Sequence, residues 1–456
     1  MSDLIQALFE PDMLLALLVA LHVLYHRRPT QTLIIWLLLV MLMPWVGALL
    51  YLLFASRKVF ARRTKPLLDF PPATVCHPSH SLQQQVHKLC ISNGLPPALG
   101  DNSLELTIEP ATARSWLLQA IEQARHSIHL ETYIFRLDAT GRELLGLLAE
   151  KARQGVQVRL LIDAFGSLRA YLSRGAFGEL IEAGGEVVFF QPLGSLFKSR
   201  INLRNHRKIY LFDQQKIIAG GINLGAEYLD PGIAQTWADM TFRLEGTVVP
   251  MYAQIFAADW HYATGSVLDM DSAPLPLGHQ VVQVIPSGPD LEQDTLREAL
   301  LCAIHQARSE IHMMTPYFIP DQLVLEAVMM AVKRGVRVRL LTPVKTDHLL
   351  FDWGRAPYMR ELAEAGVEIR CFSQGMLHAK AVVFDHALAM MGSANLDYRS
   401  LLINYEVVTL CYDERTIGNL LGLFDALDAK AAKFEPVDTG WRRFFENLVR
   451  IITPAL

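Results

Sequence analysis

Two short segments carry side chains suited to chemistry at phosphorus. One reads Asn205-His206-Arg207-Lys208-Ile-Tyr-Leu-Phe-Asp213 and, after six residues, Gly220-Gly221-Ile-Asn223. The other reads Leu377-His378-Ala379-Lys380-Ala-Val-Val-Phe-Asp385 and, after the same six, Gly392-Ser393-Ala-Asn395. A phosphodiester repels nucleophiles by its charge, so attack on it calls for cations and hydrogen-bond donors fixed around the phosphoryl oxygens. On an extended chain, residues two apart share a face, which sets His206 beside Lys208 and His378 beside Lys380. Of two imidazoles, a neutral one can attack phosphorus while a protonated one donates to the leaving oxygen. Asp213 and Asp385, near the strand ends, are placed to turn hairpins, and Asn223 and Asn395 can supply donors to the same pocket. One such motif says little, because many surface strands would match it. Two with the same downstream spacing mark a duplicated site.

The surrounding chain repeats as well. Ala124-Arg-His-Ser-Ile-His-Leu-Glu-Thr-Tyr-Ile-Phe135 matches Ala307-Arg-Ser-Glu-Ile-His-Met-Met-Thr-Pro-Tyr-Phe318, and Gly155-Val-Gln-Val-Arg-Leu-Leu161 matches Gly335-Val-Arg-Val-Arg-Leu-Leu341. Apolar residues at helical spacing (Trp116, Leu117, Ala120, Ile121, Ala124; Leu300, Ala303, Ile304, Ala307) precede short β-branched runs. Helix and strand alternating in each half predict an α/β sheet layered with helices, once per half, and a site at the seam. His129 and His312, on paired apolar strands, read as core residues.

Composition narrows the class. The 456 residues are 51% apolar and 19% charged, too greasy for an ordinary soluble enzyme and too charged for a polytopic transporter. Leu33 to Phe54 is 22 residues without a charge, and Met13 to Tyr25 is a shorter apolar run. These predict a transmembrane hairpin with spans at about 13–28 and 33–54. Arg57, Lys58, Arg62, Arg63 and Lys65 follow the second span, against Arg27 and Arg28 in the turn, which orients the catalytic part to the cytoplasm. The expected organisation is a membrane anchor at 1–63, a polar connector at 64–102, halves at 103–285 and 286–435, and an amphipathic tail at 436–456. That tail sets Arg442, Arg443 and Arg450 among Trp441, Phe444, Phe445 and Leu448. A net charge of −4 gives no field for gripping nucleic acid, and five scattered cysteines without a C-x-x-C pair fit a reducing compartment.

The twin motifs resemble those of the phospholipase D superfamily over roughly residues 110 to 430, and the Thr315–Pro320, Gly392–Ser400 and Phe444–Pro454 stretches look most like its bacterial cardiolipin synthases. The resemblance implies duplicated α/β/α domains with pseudo-twofold symmetry, preceded by the transmembrane hairpin, and a catalytic set of His206, Lys208, Asp213, His378, Lys380 and Asp385. It makes His206 the nucleophile of a phosphohistidine intermediate and His378 the general acid. Asp239, in Trp237-Ala-Asp239, and Glu406, in Asn404-Tyr-Glu406, resemble the carboxylates that orient each histidine from the opposite half. Asn223, Asn395 and Ser393 would support the phosphate; Gly221 stands where the pattern has serine. Arg204 and Arg355 are candidates for headgroup contact, Arg204 within a loop that also carries Lys198 and Arg200.

The implied reaction is phosphatidyl transfer between two phosphatidylglycerols, giving cardiolipin and glycerol at the bacterial inner membrane. A hydrolase, or transfer to phosphatidylethanolamine, is the alternative. The resemblance implies no cofactor and no metal. The other, metal-dependent route to cardiolipin needs a D-G-x2-A-R pattern, and the chain has no Asp-Gly. Nucleic acid is not an expected partner.

Overall fold

The computed structural model describes residues 11–25, 30–54, 76, 78–192, 202–233, 236–270, 275–436 and 440–452. The N-terminal residues form one unit and the body another.

In the N-terminal unit the helices are Pro11–Tyr25, Thr30–Leu42 and Pro44–Phe54. The continuous span expected over 33–54 is broken at Pro44, which has no N–H to give the preceding turn. At 1.5 Å per residue these helices measure about 16 to 22 Å, against about 30 Å of hydrocarbon. Among the described residues no helix is long and apolar enough to cross a membrane. Tyr51 closes the unit's small core, bonded to His22 at 2.7 Å and edge-on to Trp36 at 5.3 Å. Arg27, Arg28, Arg57, Lys58, Arg62, Arg63 and Lys65, on which the orientation rested, lie outside the described residues, as do Lys198 and Arg200.

The body is built on a sheet of 15 strands among the described residues. At its centre Leu99–Thr107 pairs antiparallel with Gln280–Ser287. On one side the order continues Thr241–Gly246, Lys216–Gly220, Ile209–Phe212, Ser127–Thr132, Gln157–Asp163 and Glu186–Phe190. On the other it continues Glu406–Cys411, Leu388–Gly392, Ala381–Phe384, Glu310–Met314, Arg337–Pro343 and Glu368–Phe372, with Ala431–Lys433 beyond. The six strands on either side of the central pair match one for one, with Ala431–Lys433 outside the match, so the duplication is a pseudo-twofold. The halves share one sheet where the repeat alone suggested one sheet each.

Two expected boundaries shift accordingly. The strand Gln280–Ser287 straddles the 285/286 division and is the counterpart of Leu99–Thr107, which itself begins within 64–102. The connector also holds a helix, Ser81–Ser92, opened by a His80 side-chain cap and burying Leu82, Val86 and Cys90 in the main core. Its polar composition hid a 3.6-residue apolar stripe. Inner strands such as Ile209–Phe212 and Ala381–Phe384 are buried throughout, as continuous β-branched and aromatic runs require when helices cover both faces.

Candidate active site

Each His-x-Lys pair lies just ahead of its strand, where the chain leaves its own half's ladder and meets the other half. Asn205 bridges Tyr405 in parallel, with His206 N–H donating to Tyr405 O at 2.9 Å. Leu377 bridges Ala238 likewise, with His378 N–H donating to Ala238 O at 2.7 Å. The residue after each bridge partner is an acid, so the carboxylates cross. His206 Nδ1 faces both oxygens of Glu406, at 2.9 and 3.0 Å, and His378 Nδ1 lies 2.6 Å from Asp239 Oδ2. Each half therefore supplies the carboxylate for the other half's imidazole.

The lysines close the site. Lys208 Nζ donates to His206 O at 2.6 Å, and Lys380 Nζ lies 2.7 Å from His378 Nδ1. Both lysines act electrostatically on both histidines, and the histidines act on one another, so the two motifs meet in a single site. Aromatic rings wall it: Tyr133 is edge-on to His206 at 4.9 Å, while Trp237, Tyr228 and Tyr317 surround His378 at 5.1, 5.5 and 6.4 Å.

Burial sets the proton inventory, because a low dielectric disfavours whichever form is charged. It depresses His206 to about 4 despite the pull of Glu406, and holds His378 well below the usual histidine range with help from Lys380. It brings Lys208 down to about 7 and Lys380 to about 8. Asp239 rises to about 7 through burial, only partly offset by the two lysines. Burial acts on Glu406 in the same sense, but His206, Lys208 and the Ser393 hydroxyl outweigh it and hold Glu406 below the ordinary glutamate value.

Other residues singled out from sequence take different places. Asp213 and Asp385 sit five residues beyond the lysines, about 16 Å along the strand. Each opens a hairpin turn with φ +49°. Asp213 accepts backbone N–H groups of Arg125, His126 and Ser127, and Asp385 those of Arg308, Ser309 and Glu310. They pin helix-to-strand loops away from the reacting groups, which corrects their place in the catalytic set; the sequence could not reveal this because motif membership does not measure distance. Ser393 donates to Glu406 Oε2 at 2.5 Å, orienting the carboxylate. Gly221 has no such hydroxyl, and a Cβ there would lie 2.0 Å from Asp239 Oδ1. Asn223 Oδ1 accepts from Ile134 N–H at 3.0 Å, fixing the loop behind Tyr133, and Asn395 lines a small cavity with Lys380.

Neither headgroup candidate stands open to solvent. Arg355 donates to Thr342 Oγ1, Pro343 O and Val344 O and pairs with Asp352, clamping a helix to a strand end. Arg204 is buried beside Asp163 at 3.6 Å and over the Phe165 ring. The sequence reading missed Arg207, which sits between His206 and Lys208 on the opposite face. It is fully buried, pairs with Asp259, and donates to Glu406 O and Ser287 O at 3.0 Å each, tying the halves together. Strand alternation pointed to it, since a charge between His206 and Lys208 must face the core.

A duplicated frame that crosses its carboxylates to bring two histidines together is that of the phospholipase D class of enzymes. The family model described as "Cardiolipin synthase, PLD-like domain" matches residues 117–260 and 300–427, and "Phospholipase_D-nuclease N-terminal" matches 14–55. The chain is 36% identical over 465 residues to the cardiolipin synthase of Geobacillus kaustophilus (strain HTA426), covering 97% of this chain and 91% of that one. It is 32% identical over 491 residues to the major cardiolipin synthase of Bacillus subtilis (strain 168), covering 100% and 99%. In fold it is similar to the phosphatidylserine synthase of Haemophilus influenzae Rd KW20, with a TM-score of 0.62 at 13% identity over 81% of this chain and 100% of that one. The chain belongs to the cardiolipin synthase family of the phospholipase D superfamily. It is a phosphatidyltransferase, and its substrates are phospholipids.

Proposed function

We propose that the chain joins two phosphatidylglycerols into cardiolipin through a phosphohistidine on His206, with His378 moving the protons. The observation that carries this reading is the pair of crossed histidine–carboxylate contacts at one site, and the difference between them supports the division of roles.

His206 is neutral across the physiological range, and its Nδ1–H donates to the ionised Glu406, which leaves the Nε2 lone pair for phosphorus. His378 and Asp239 form a pair that takes up a proton near pH 7, as an acid–base group working at neutrality needs. In the first step Nε2 of His206 bonds to phosphorus, the bond from phosphorus to the glycerol oxygen breaks, and the His378 Nε2 proton passes to that oxygen, releasing glycerol. In the second, His378 Nε2 takes the hydroxyl proton of another phosphatidylglycerol, whose oxygen bonds to phosphorus as the phosphorus–nitrogen bond breaks. Lys208 and Lys380 offset the charge on the phosphoryl oxygens throughout. Asp213 and Asp385 enter only by fixing the frame.

The apolar N-terminal unit holds the enzyme to the bacterial inner membrane, with the body on the cytoplasmic side. Purified protein in phosphatidylglycerol vesicles is expected to yield cardiolipin and glycerol in equal amounts. Phosphatidic acid as sole product would make it a hydrolase, and a mixed product with added phosphatidylethanolamine would identify a different acceptor.

A further inference from the structure

The C-terminal helix Gly440–Ile452 packs the wrong way round for a helix of a soluble protein. The side it turns to the body carries Glu446 and Arg450, while Arg442 is half exposed and Arg443 exposed. Glu446 is 1% exposed and paired with Arg360 of the helix Leu349–Ala365, and Arg442 pairs with the same Glu446 at 2.8 Å. Arg450 pairs with Glu361 and lies over the Tyr358 ring at 4.5 Å. The apolar stripe is turned out: Trp441 is 80% exposed, Phe444 59%, Leu448 52% and Phe445 44%. A surface helix ordinarily buries that stripe and wets its charges. Here ion pairs fix the helix so that the stripe stays uncovered.

The stripe does not end with this helix. Phe445 meets Trp353 at 6.3 Å, and Trp353 shares one exposed helix face with Leu349 and Leu350. On the inner side of that same helix turn, Phe351 packs on Tyr317 at 4.6 Å, and Tyr317 adjoins His378 at 6.4 Å. Two rings, Phe351 and Tyr317, thus separate the apolar surface from the acid–base histidine. The helix itself carries three arginines against one glutamate, and that glutamate is buried.

We infer that this stripe, Trp441, Phe444, Phe445 and Leu448 continued by Trp353, Leu349 and Leu350, is a docking face for an anionic phospholipid bilayer that seats the His378 side of the site against the interface. The inference rests on the lipid-transfer reading and adds where the lipid surface meets the protein. Aromatic and leucine side chains suit the headgroup–acyl boundary, and the half-exposed Arg442 and exposed Arg443 beside them are placed to meet acidic headgroups. A site seated there reaches substrates by lateral diffusion, without drawing acyl chains through water.

The test uses the full chain and its variant with Trp441, Phe444, Phe445 and Leu448 all changed to Ser. On short-chain phosphatidylglycerol dispersed as monomers the two are expected to transfer at the same rate within about twofold. On long-chain phosphatidylglycerol vesicles the variant is expected to lose at least tenfold. Equal rates on vesicles would overturn the docking face. Loss on both substrates with a smaller particle in size-exclusion chromatography would overturn it too, assigning the stripe to contact between two copies. Tryptophan quenching by brominated phosphatidylglycerol separates this inference from the catalytic one: Trp441→Phe is expected to remove a strongly quenched component, whether or not lipid is turned over. No change in quenching would overturn the face even if cardiolipin is made.

Discussion

His206 and His378 hold equivalent places in the two halves, yet their carboxylates are held differently. On His206 the partner is Glu406, gripped by the Ser393 hydroxyl and kept ionised. On His378 it is the shorter Asp239, backed by Gly221 and raised to about 7. Arg207 braces the Glu406 strand from below, where Ala379 occupies the matching position in the other motif. Duplication supplies the symmetric frame, but a two-step transfer needs one histidine poised as a nucleophile and one as a proton carrier. The differences between the halves are of the kind that separate those roles.

The comparison breaks most sharply at the histidines. His206→Ala and His378→Ala are each expected to cut transfer at least ten-thousandfold, with circular dichroism unchanged. A phosphatidyl substrate with a p-nitrophenol leaving group, which departs without a proton, then tells them apart. His378→Ala is expected to recover about a hundredfold in p-nitrophenol release, the part owed to general-acid assistance, while His206→Ala stays inert. Recovery in the His206 variant instead would exchange the two roles.

The carboxylates come next. Asp239→Asn and Glu406→Gln are each expected to cost about a thousandfold by leaving the imidazole in the wrong tautomer. Their pH profiles should differ. In the wild type, kcat/KM falls as pH rises through about 7 to 8, where Lys208 and Lys380, both depressed by burial, lose their charge and the Asp239–His378 pair its proton. It falls again at low pH as His206 takes up a proton near 4. Asp239→Asn should move the alkaline limb, whereas Glu406→Gln should lower the plateau and leave that limb in place. Identical profiles would mean that the halves are not differentiated.

How much of this was legible in the sequence follows from what each feature depends on. The twin motifs, the two acids and the repeat are local in sequence and could be read directly. The crossing of the carboxylates came only by resemblance, because it depends on bridges between residues far apart in sequence, Asn205 to Tyr405 and Leu377 to Ala238. The break at Pro44 was visible as a residue but hidden by a hydropathy average that ignores hydrogen bonding. Arg204 and Arg355 looked available because charge suggests exposure, yet both are buried, and the satisfied donors of Arg355 appear only once a strand end is folded against it. Arg207 escaped notice between two residues that drew all the attention.

At the far ends of the two strands the halves should behave alike. Asp213→Ala and Asp385→Ala each strip an acceptor from three backbone N–H groups, at about 1–3 kcal/mol of stability each by urea denaturation. The rate per folded molecule is expected to stay within about threefold, as suits residues about 16 Å along the strand from the lysines. Burial opposes ionisation of Asp385, but the backbone donors outweigh it and hold its carboxyl below the ordinary value. Its contribution is therefore present at neutral pH and lost as pH falls through the acidic range. A rate collapse in either variant without unfolding would return these residues to the chemistry.

A single hydroxyl sharpens the comparison best. Ser393→Ala removes one hydroxyl from Glu406 and leaves His206 in place, for an expected loss of about tenfold, near the 1.4 kcal/mol of one hydrogen bond. If the halves were interchangeable, Gly221→Ser would mirror the wild-type second half and be harmless. The geometry says otherwise: a Cβ at 221 falls 2.0 Å from Asp239 Oδ1, so the carboxylate must leave His378 to admit it. Gly221→Ser should then resemble Asp239→Asn in rate and pH profile, although it touches no reacting atom. Wild-type kinetics in that variant would show that Asp239 has room to move, and that glycine at 221 is incidental to the way the second histidine holds its proton.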